Sequence, residues 1–408
     1  MIKLGSPESV GLCPDRLKHI SPHFMKYVDD GEIPGYQILV FRRGKTVFLE
    51  QYGKRDVEND QPVEEDTIYR FYSMTKAITT VAVMSLYERG LFQLDNPVSE
   101  FIPEFENLGV YKFPGDPEFG VTGGCHTELP ERKMTIRDLL THTSGLTYGF
   151  MNKHPVDAMY RDQNVNGGTL KDMVQKLGQI PLLFSPGTQW SYSVATDVLG
   201  HLVEVLSGTT LDAYFAENIL GPLGMVDTAF HVPESNVSRF AANYQFRKGG
   251  FRLLDKPSES TYLKPPTFLS GGGGLVSTVE DYLRFTQMLL NKGELDGTRI
   301  LGRKTVECMT SNHLPNNADL REMGQAVFSE TTFAGIGFGL GFSVMLDPAK
   351  ANIIGSPGEY AWGGAASTYF WIDPVEDMIV IFLTQLMPSS SYPIRRELKV
   401  LTYQAIID

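Results

Sequence analysis

The chain predicts an α+β fold: one antiparallel sheet assembled from both ends of the chain and flanked by helices, with a mostly helical insertion between them. Three observations carry this expectation. β-Rich runs occur near the start, the stretch from about residue 95 to 268 reads as helices separated by Pro- and Gly-containing loops, and strand signals return only after residue 337. No strand–helix alternation suggests a parallel sheet, and no internal repeat is visible.

Taken in order, Tyr36 to Phe41 and Thr46 to Tyr52 are two β-rich runs joined by Arg42-Arg43-Gly44-Lys45, the form of a hairpin. Met74 to Arg89 predicts a long helix stopped by Gly90. Its Ala77, Ile78, Val81, Ala82, Val83, Met84 and Leu86 leave hardly any polar face, so it is expected in the middle of a domain. Thr135 to Leu140 and Thr196 to Leu206 are the clearest helical pieces of the insertion, and a loop rich in Gly and charge runs from Pro114 to Lys133. After Gly271 to Gly274, Ser277-Thr278-Val279-Glu280 has the form of a capping box in which Ser277 opens a helix from Val279 to Leu290. Gly339 to Leu346, Ala365 to Ile372 and Met378 to Thr384 read as strands, with Asp373-Pro374 as the turn between the last two. A closing helix is expected from Ile394 to Ile407. The whole reads as one unit over 1–408, with an α/β subdomain from 1–75 and 270–408 and a helical subdomain over 76–269.

Composition narrows the function. With 36 basic and 48 acidic side chains the formal charge is −12, which argues against nucleic-acid and anionic-membrane partners, since both select a positive face. Cys13, Cys125 and Cys308 form no CxxC pair and no disulfide framework, so a reducing compartment is expected, with each thiol a small core residue. The first thirty residues are interrupted by charge and show no secretory signal. Apolar runs such as Met378 to Leu383 are too short to span a bilayer. The expectation is a soluble, cytoplasmic protein; nothing in the sequence sets its oligomeric state.

Ser73-Met74-Thr75-Lys76 is the only Ser-x-x-Lys in the chain, and it opens the apolar helix. A serine hydroxyl is a poor nucleophile until a neighbour takes its proton. A lysine three residues on lies on the same helical face, but it can take that proton only when neutral. That requires its ordinary pKa of about 10.4 to be lowered by burial or by a positive potential such as a helix N-terminus. The same terminus would aim the Ser73 N–H at a developing oxyanion. The plainer alternative makes Ser73 an N-cap and Lys76 a solvated side chain. Two further segments bear on the choice. Pro186 to Ser193 is a turn that delivers Tyr192 just before a helix. Tyr360-Ala361-Trp362-Gly363-Gly364-Ala365-Ala366 reads as a strand whose paired glycines admit another backbone or a ligand. Read separately, Tyr192 is a packed aromatic and the glycines a bulge.

In this order the segments resemble the serine β-lactamase and penicillin-binding superfamily, in which Ser-x-x-Lys is joined by a Tyr-x-Asn or Ser-x-Asn segment and a Lys-Thr-Gly strand. The likeness is strongest to the class C β-lactamase-like esterases called family VIII carboxylesterases. It includes Leu139 to Leu146, Pro186-Gly187, Asp197-Val198-Leu199-Gly200 and Gly271 to Gly274, and it spans roughly residues 10 to 400. The resemblance implies that Ser73 is the acylated nucleophile and that Lys76 and Tyr192 are its coupled base. It implies an oxyanion hole from the backbone N–H groups of Ser73 and Ala365, and a substrate pocket that includes Trp362, Gly363, Gly364, Tyr148 and Val194. It implies no cofactor and no metal. Two departures matter: Val194 stands where an Asn is expected, and Trp362-Gly363-Gly364 replaces Lys-Thr-Gly. The second removes a cation that would pair with an antibiotic carboxylate, so small neutral esters are the expected substrates of a serine carboxylesterase. A β-lactamase, a D-amino-acid peptidase or amidase, or an acyltransferase could use the same three side chains, and a non-catalytic scaffold is the third reading. A Lys–Tyr base predicts a rate that rises into mildly alkaline conditions.

Other motifs carry less. His142 in Thr-His-Thr-Ser-Gly would suit a triad, but no Gly-x-Ser-x-Gly elbow exists, so it is expected to bond loop backbone near the site. Cys125 and His126 are adjacent rather than at metal-ligand spacing, and no His-Glu-x-x-His occurs. Gly44-Lys45-Thr46 lacks the upstream glycine of a phosphate loop, and Gly271 to Gly274 reads as a tight backbone passage beside the site rather than a nucleotide cradle.

Overall fold

The computed structural model of the chain describes residues 2–112, 126–324 and 333–408. Its main sheet has eight strands: β1 (Gly35–Arg42), β2 (Lys45–Asp56), β3 (Gln61–Pro62), β4 (Ile336–Phe338), β5 (Ser343–Met345), β6 (Tyr360–Gly363), β7 (Tyr369–Asp373) and β8 (Met378–Leu383). They lie in the order β4-β5-β6-β7-β8-β1-β2-β3, every pair antiparallel. The two ends of the chain meet where β1 pairs with β8, with Gln37 opposite Leu383 and Arg42 opposite Met378.

Both of these strands are buried on both faces, which is why they read as continuous apolar runs. Period-two alternation then divides their side chains. Leu39, Phe41, Ile379 and Ile381 enter one core cluster, and Ile38, Val40, Val380 and Phe382 enter another on the opposite face. The second cluster is closed by Phe24 of α1 (Ile20–Asp29) and by Leu398 and Tyr403 of the closing helix, Ile394–Tyr403. The first is closed by α2 (Thr75–Glu88), α3 (Ala195–Ser207) and α4 (Val279–Leu290), with the closing helix numbered α5. As its lack of a polar face predicts, α2 is buried without a break from Thr75 to Met84.

The structure corrects several expectations. Gly339 to Leu346 is no single strand: β4 and β5 form a hairpin whose turn carries the buried Leu340 and Phe342, and apolar turn residues hide a turn from pattern reading. Ala365 to Thr368 is a turn closed by the Gly364 N–H on the Thr368 carbonyl at 2.9 Å, and the strand begins only at Tyr369. The N-cap of α4 is Thr278, whose hydroxyl accepts from the Asp281 N–H. Ser277 is instead paired with Tyr69 in a two-residue ladder, and its hydroxyl bonds Thr228. The insertion also carries a hairpin, Asn243–Arg247 with Gly250–Asp255, alongside which Leu386–Met387 runs parallel. Residues 113–125 of the expected charged loop, with Cys125, lie outside the described residues, and Cys13 and Cys308 are only half-buried. Among the described residues no helix is long and apolar enough to cross a membrane.

Candidate active site

Ser73 sits in a single 3-10 turn, Tyr72–Met74, that runs directly into α2. The residue before it, Tyr72, has φ +44°, a backbone region that bulky L-residues avoid and that costs of the order of 1–3 kcal/mol. That bend presents the Ser73 side chain at the head of α2 to a cavity of about 560 Å³.

One helical turn on, Lys76 is 2% exposed, so it is no solvated surface lysine. Its Nζ lies 3.2 Å from Ser73 Oγ and donates to the Gly272 carbonyl at 2.5 Å. That carbonyl belongs to the four-glycine run, which α2 holds along its length: Thr79 Oγ1 donates to the Gly271 carbonyl at 2.7 Å, and Thr75 Oγ1 accepts from the Leu275 N–H at 3.1 Å. The run therefore is the tight passage beside the site that its composition suggested. Its closeness has a steric reason, since a Cβ on Gly272 would fall 2.5 Å from a carboxylate oxygen of Asp197. Sequence reading missed Asp197 as a site residue. It sits in the first turn of α3, and one of its oxygens accepts from Ser270 Oγ at 2.5 Å and from the Gly272 N–H at 2.9 Å. Burial raises its carboxyl above the usual carboxylate range, opposed by Lys76 and by these two donors. An acid in the first turn of the helix, among the buried residues Ala195 to Gly200, was the available signal.

Tyr192 arrives from the other side, as the turn before α3 suggested. The Lys76 Nζ lies 4.7 Å from the centre of its ring, and Tyr192 and Ser73 line the same cavity. The Trp362 indole N–H donates to Tyr192 Oη at 3.3 Å, so this indole is more than the apolar substitute expected from the sequence. A second phenol is close. Tyr148 lies 5.6 Å from Lys76 Nζ at its ring centre and packs against Tyr192, and burial together with Tyr192 and Asp197 pushes it well above its ordinary range. It is thereby kept protonated. His142 packs on Tyr192 with ring centres 5.0 Å apart, and its Nδ1 bonds the Ser193 hydroxyl at 3.1 Å. Its ring thus holds a side chain rather than the loop backbone expected; its backbone carbonyl takes the Ser191 N–H. Burial and the nearby Lys76 ammonium keep this imidazole neutral.

The remaining wall comes from the end of β6. Trp362, Gly363, Gly364 and Ala365 line the cavity, as do Tyr148 and Phe150. Gly364 must be glycine here, because a Cβ would sit 2.4 Å from the Phe71 carbonyl, just upstream of Ser73. The next residue, Ala365, lines the same cavity as Ser73. Val194 is the exception among the pocket residues expected from the sequence. Its side chain is buried in the core at the start of α3 and does not line the cavity, and its backbone N–H is held by the Thr147 carbonyl. An Asn-for-Val exchange in the motif therefore says little about the cavity wall itself.

The arrangement offers a hydroxyl, an amine within hydrogen-bond reach of it, a phenol above that amine and a largely apolar cavity in front. These are the parts that acyl transfer through serine requires. A family model described as Beta-lactamase matches residues 20–404. Esterase EstB of Burkholderia gladioli is 30% identical over 88% of each chain. Monacolin J acid methylbutanoyltransferase of Aspergillus terreus is 28% identical over 97% of this chain and 96% of its own. Among solved structures, EstCE1, described as a hydrolase with promiscuous acyltransferase activity, superposes with a TM-score of 0.77 at 26% identity, covering 97% of this chain and 98% of its own.

Proposed function

The chain belongs to the beta-lactamase family and has its fold, that of serine hydrolases and acyltransferases, and from that premise we propose that it is a serine carboxylesterase of the family VIII kind, acting on small or short-chain esters. The observation that supports this most directly is Lys76 Nζ at 3.2 Å from the Oγ of Ser73, which lines one cavity with Tyr192. Lys76, coupled to Tyr192, takes the Ser73 proton as Oγ attacks the ester carbonyl. The Ser73 and Ala365 N–H groups hold the oxyanion. The C–O bond to the alcohol breaks, and the departing alkoxide takes the proton back. Water then repeats the sequence on the acyl-enzyme and releases the acid. The absence of a cation from Trp362-Gly363-Gly364 favours neutral esters over lactam antibiotics.

A second reading, acyl transfer to an alcohol acceptor, is favoured by the transferase relative and by the transferase activity named for EstCE1. Rates on p-nitrophenyl acetate, a chromogenic cephalosporin and a D-amino-acid anilide, each with and without a simple alcohol acceptor, separate the possibilities. Ester turnover that vanishes in a folded Ser73→Ala variant is expected. Preference for the cephalosporin would overturn the esterase reading, and acyl capture by alcohol far beyond its mole fraction in water would replace hydrolysis with transfer.

A further inference from the structure

Asp197 is buried and lines the site cavity beside the glycine run, yet no step in the reaction above uses it. Its position is set from three sides. The start of α3 provides it, with its own N–H on the Val194 carbonyl at 2.9 Å. One of its oxygens holds both Ser270 Oγ and the Gly272 N–H. The other lies so close to Gly272 that no side chain fits there. The same residue, Gly272, turns its carbonyl to Lys76 Nζ. A carboxylate on the N–H of one residue and an ammonium on its carbonyl are thus joined through a single glycine. The two do not touch as an ion pair: among the described residues, the hydrogen-bond acceptors of Lys76 Nζ are Ser73 Oγ and the Gly272 carbonyl.

We propose that Asp197 is a positioning residue of the reaction: it clamps the glycine run so that the Gly272 carbonyl holds the Lys76 amine on Ser73, and its negative charge sets the pH range over which that amine accepts the serine proton. The proposal rests on the Ser73 nucleophile proposed above. The glycine run has no side chains of its own to hold it, so its backbone course depends on what grips its N–H and carbonyl groups. Asp197 grips at Gly272, the one point that bears on Lys76. The other titratable groups facing this amine are His142 and the phenols of Tyr148 and Tyr192. Burial pushes His142 toward its neutral form and Tyr148 toward its protonated form; it pushes the Asp197 carboxyl up as well, opposed by Lys76, Ser270 and Gly272, so the charge of Asp197 is what Asp197→Asn tests.

Two substitutions separate clamp from charge. Asp197→Asn keeps an oxygen able to accept from Ser270 and Gly272 but carries no charge. Asp197→Ala removes both. Each is tested against pH 5.5 to 9.5 with p-nitrophenyl acetate and with a fluorophosphonate probe, which reports activation of Ser73 whatever the natural ester is. For Asp197→Ala, a plateau kcat at least tenfold lower, with KM within threefold, is expected. Asp197→Asn should recover most of that plateau while its rising limb moves about one pH unit lower, because the ammonium form of the amine loses its stabilising anion. An unmoved limb in Asp197→Asn overturns the proposal, and this variant decides the matter even if Asp197→Ala does not fold. Failure of the probe to label wild-type Ser73 would instead remove the nucleophile itself, a different failure with a different signature.

Discussion

Two buried lysines, Lys399 in the wall of the cavity and Lys76 behind its Ser73, are held in opposite ways. Lys399 on α5 makes a direct ion pair with Glu359, whose other oxygen takes the Tyr403 hydroxyl at 2.7 Å; that hydroxyl also reaches Asp373 at 2.6 Å. Among the described residues, Lys76 on α2 donates to a serine hydroxyl and a glycine carbonyl and faces the rings of Tyr148 and Tyr192, with the Asp197 carboxyl on the far side of that glycine. Both side chains are almost wholly withdrawn from water. The first arrangement uses its charge to tie a helix to the end of a sheet. The second keeps an amine facing a hydroxyl with which it can exchange a proton. Burial of a charge does not reveal its purpose, whereas the identity of its partners does.

Substitution at each lysine is the strongest way to break this contrast. Lys76→Met should lower kcat/KM on p-nitrophenyl acetate by about 10³–10⁴-fold, while thermal unfolding stays near wild type. Lys399→Met should do the reverse. It leaves the Glu359 carboxyl buried without its cation, so unfolding free energy in urea should fall by about 3–5 kcal/mol, with activity per folded molecule retained. Much of that loss should return in Lys399→Met with Glu359→Gln, since the second change removes the orphaned charge. Equal catalytic losses in the two lysine variants would erase the distinction.

Smaller effects sharpen the picture around Lys76. Trp362→Phe keeps an aromatic wall but removes the N–H on Tyr192 Oη, so a fall in kcat of about tenfold is expected, matching one modest hydrogen bond. The smallest effect concerns pH. Burial, and then Lys76, push His142 well below its ordinary range, while in the unfolded chain it takes up a proton below about pH 6.5. The unfolded state then binds more protons than the folded one, so this residue lowers stability as pH falls below that value, by at most about 1.4 kcal/mol per pH unit. His142→Gln should flatten the decline in melting temperature between pH 7 and 5 relative to wild type; an unchanged slope would mean that His142 is protonated in the fold.

Much of this was open to reading in the linear chain. Period-two and near-continuous apolar runs belong to short stretches, so β1, β2 and β8 could be recognised from their own residues. An apolar α2 with no polar face could only be central, and Ser73 and Lys76 meet because three residues make nearly one helical turn. Tyr192 and the glycines of β6 could be named through their order along the chain.

The remainder depended on contacts between distant segments. Whether 365–368 was strand or turn rested on Phe71 pressing against Gly364, some 290 residues away in sequence. Val194, next but one to Tyr192, was carried into the core because α3 begins there and turns its side chain inward. Asp197 gained its place only when the Gly271 to Gly274 run crossed α3 and offered it an N–H. Local residues fix which hydrogen-bonding groups a segment carries. Which buried charge finds which partner follows from close packing, because only the folded chain brings those segments within 3 Å of each other.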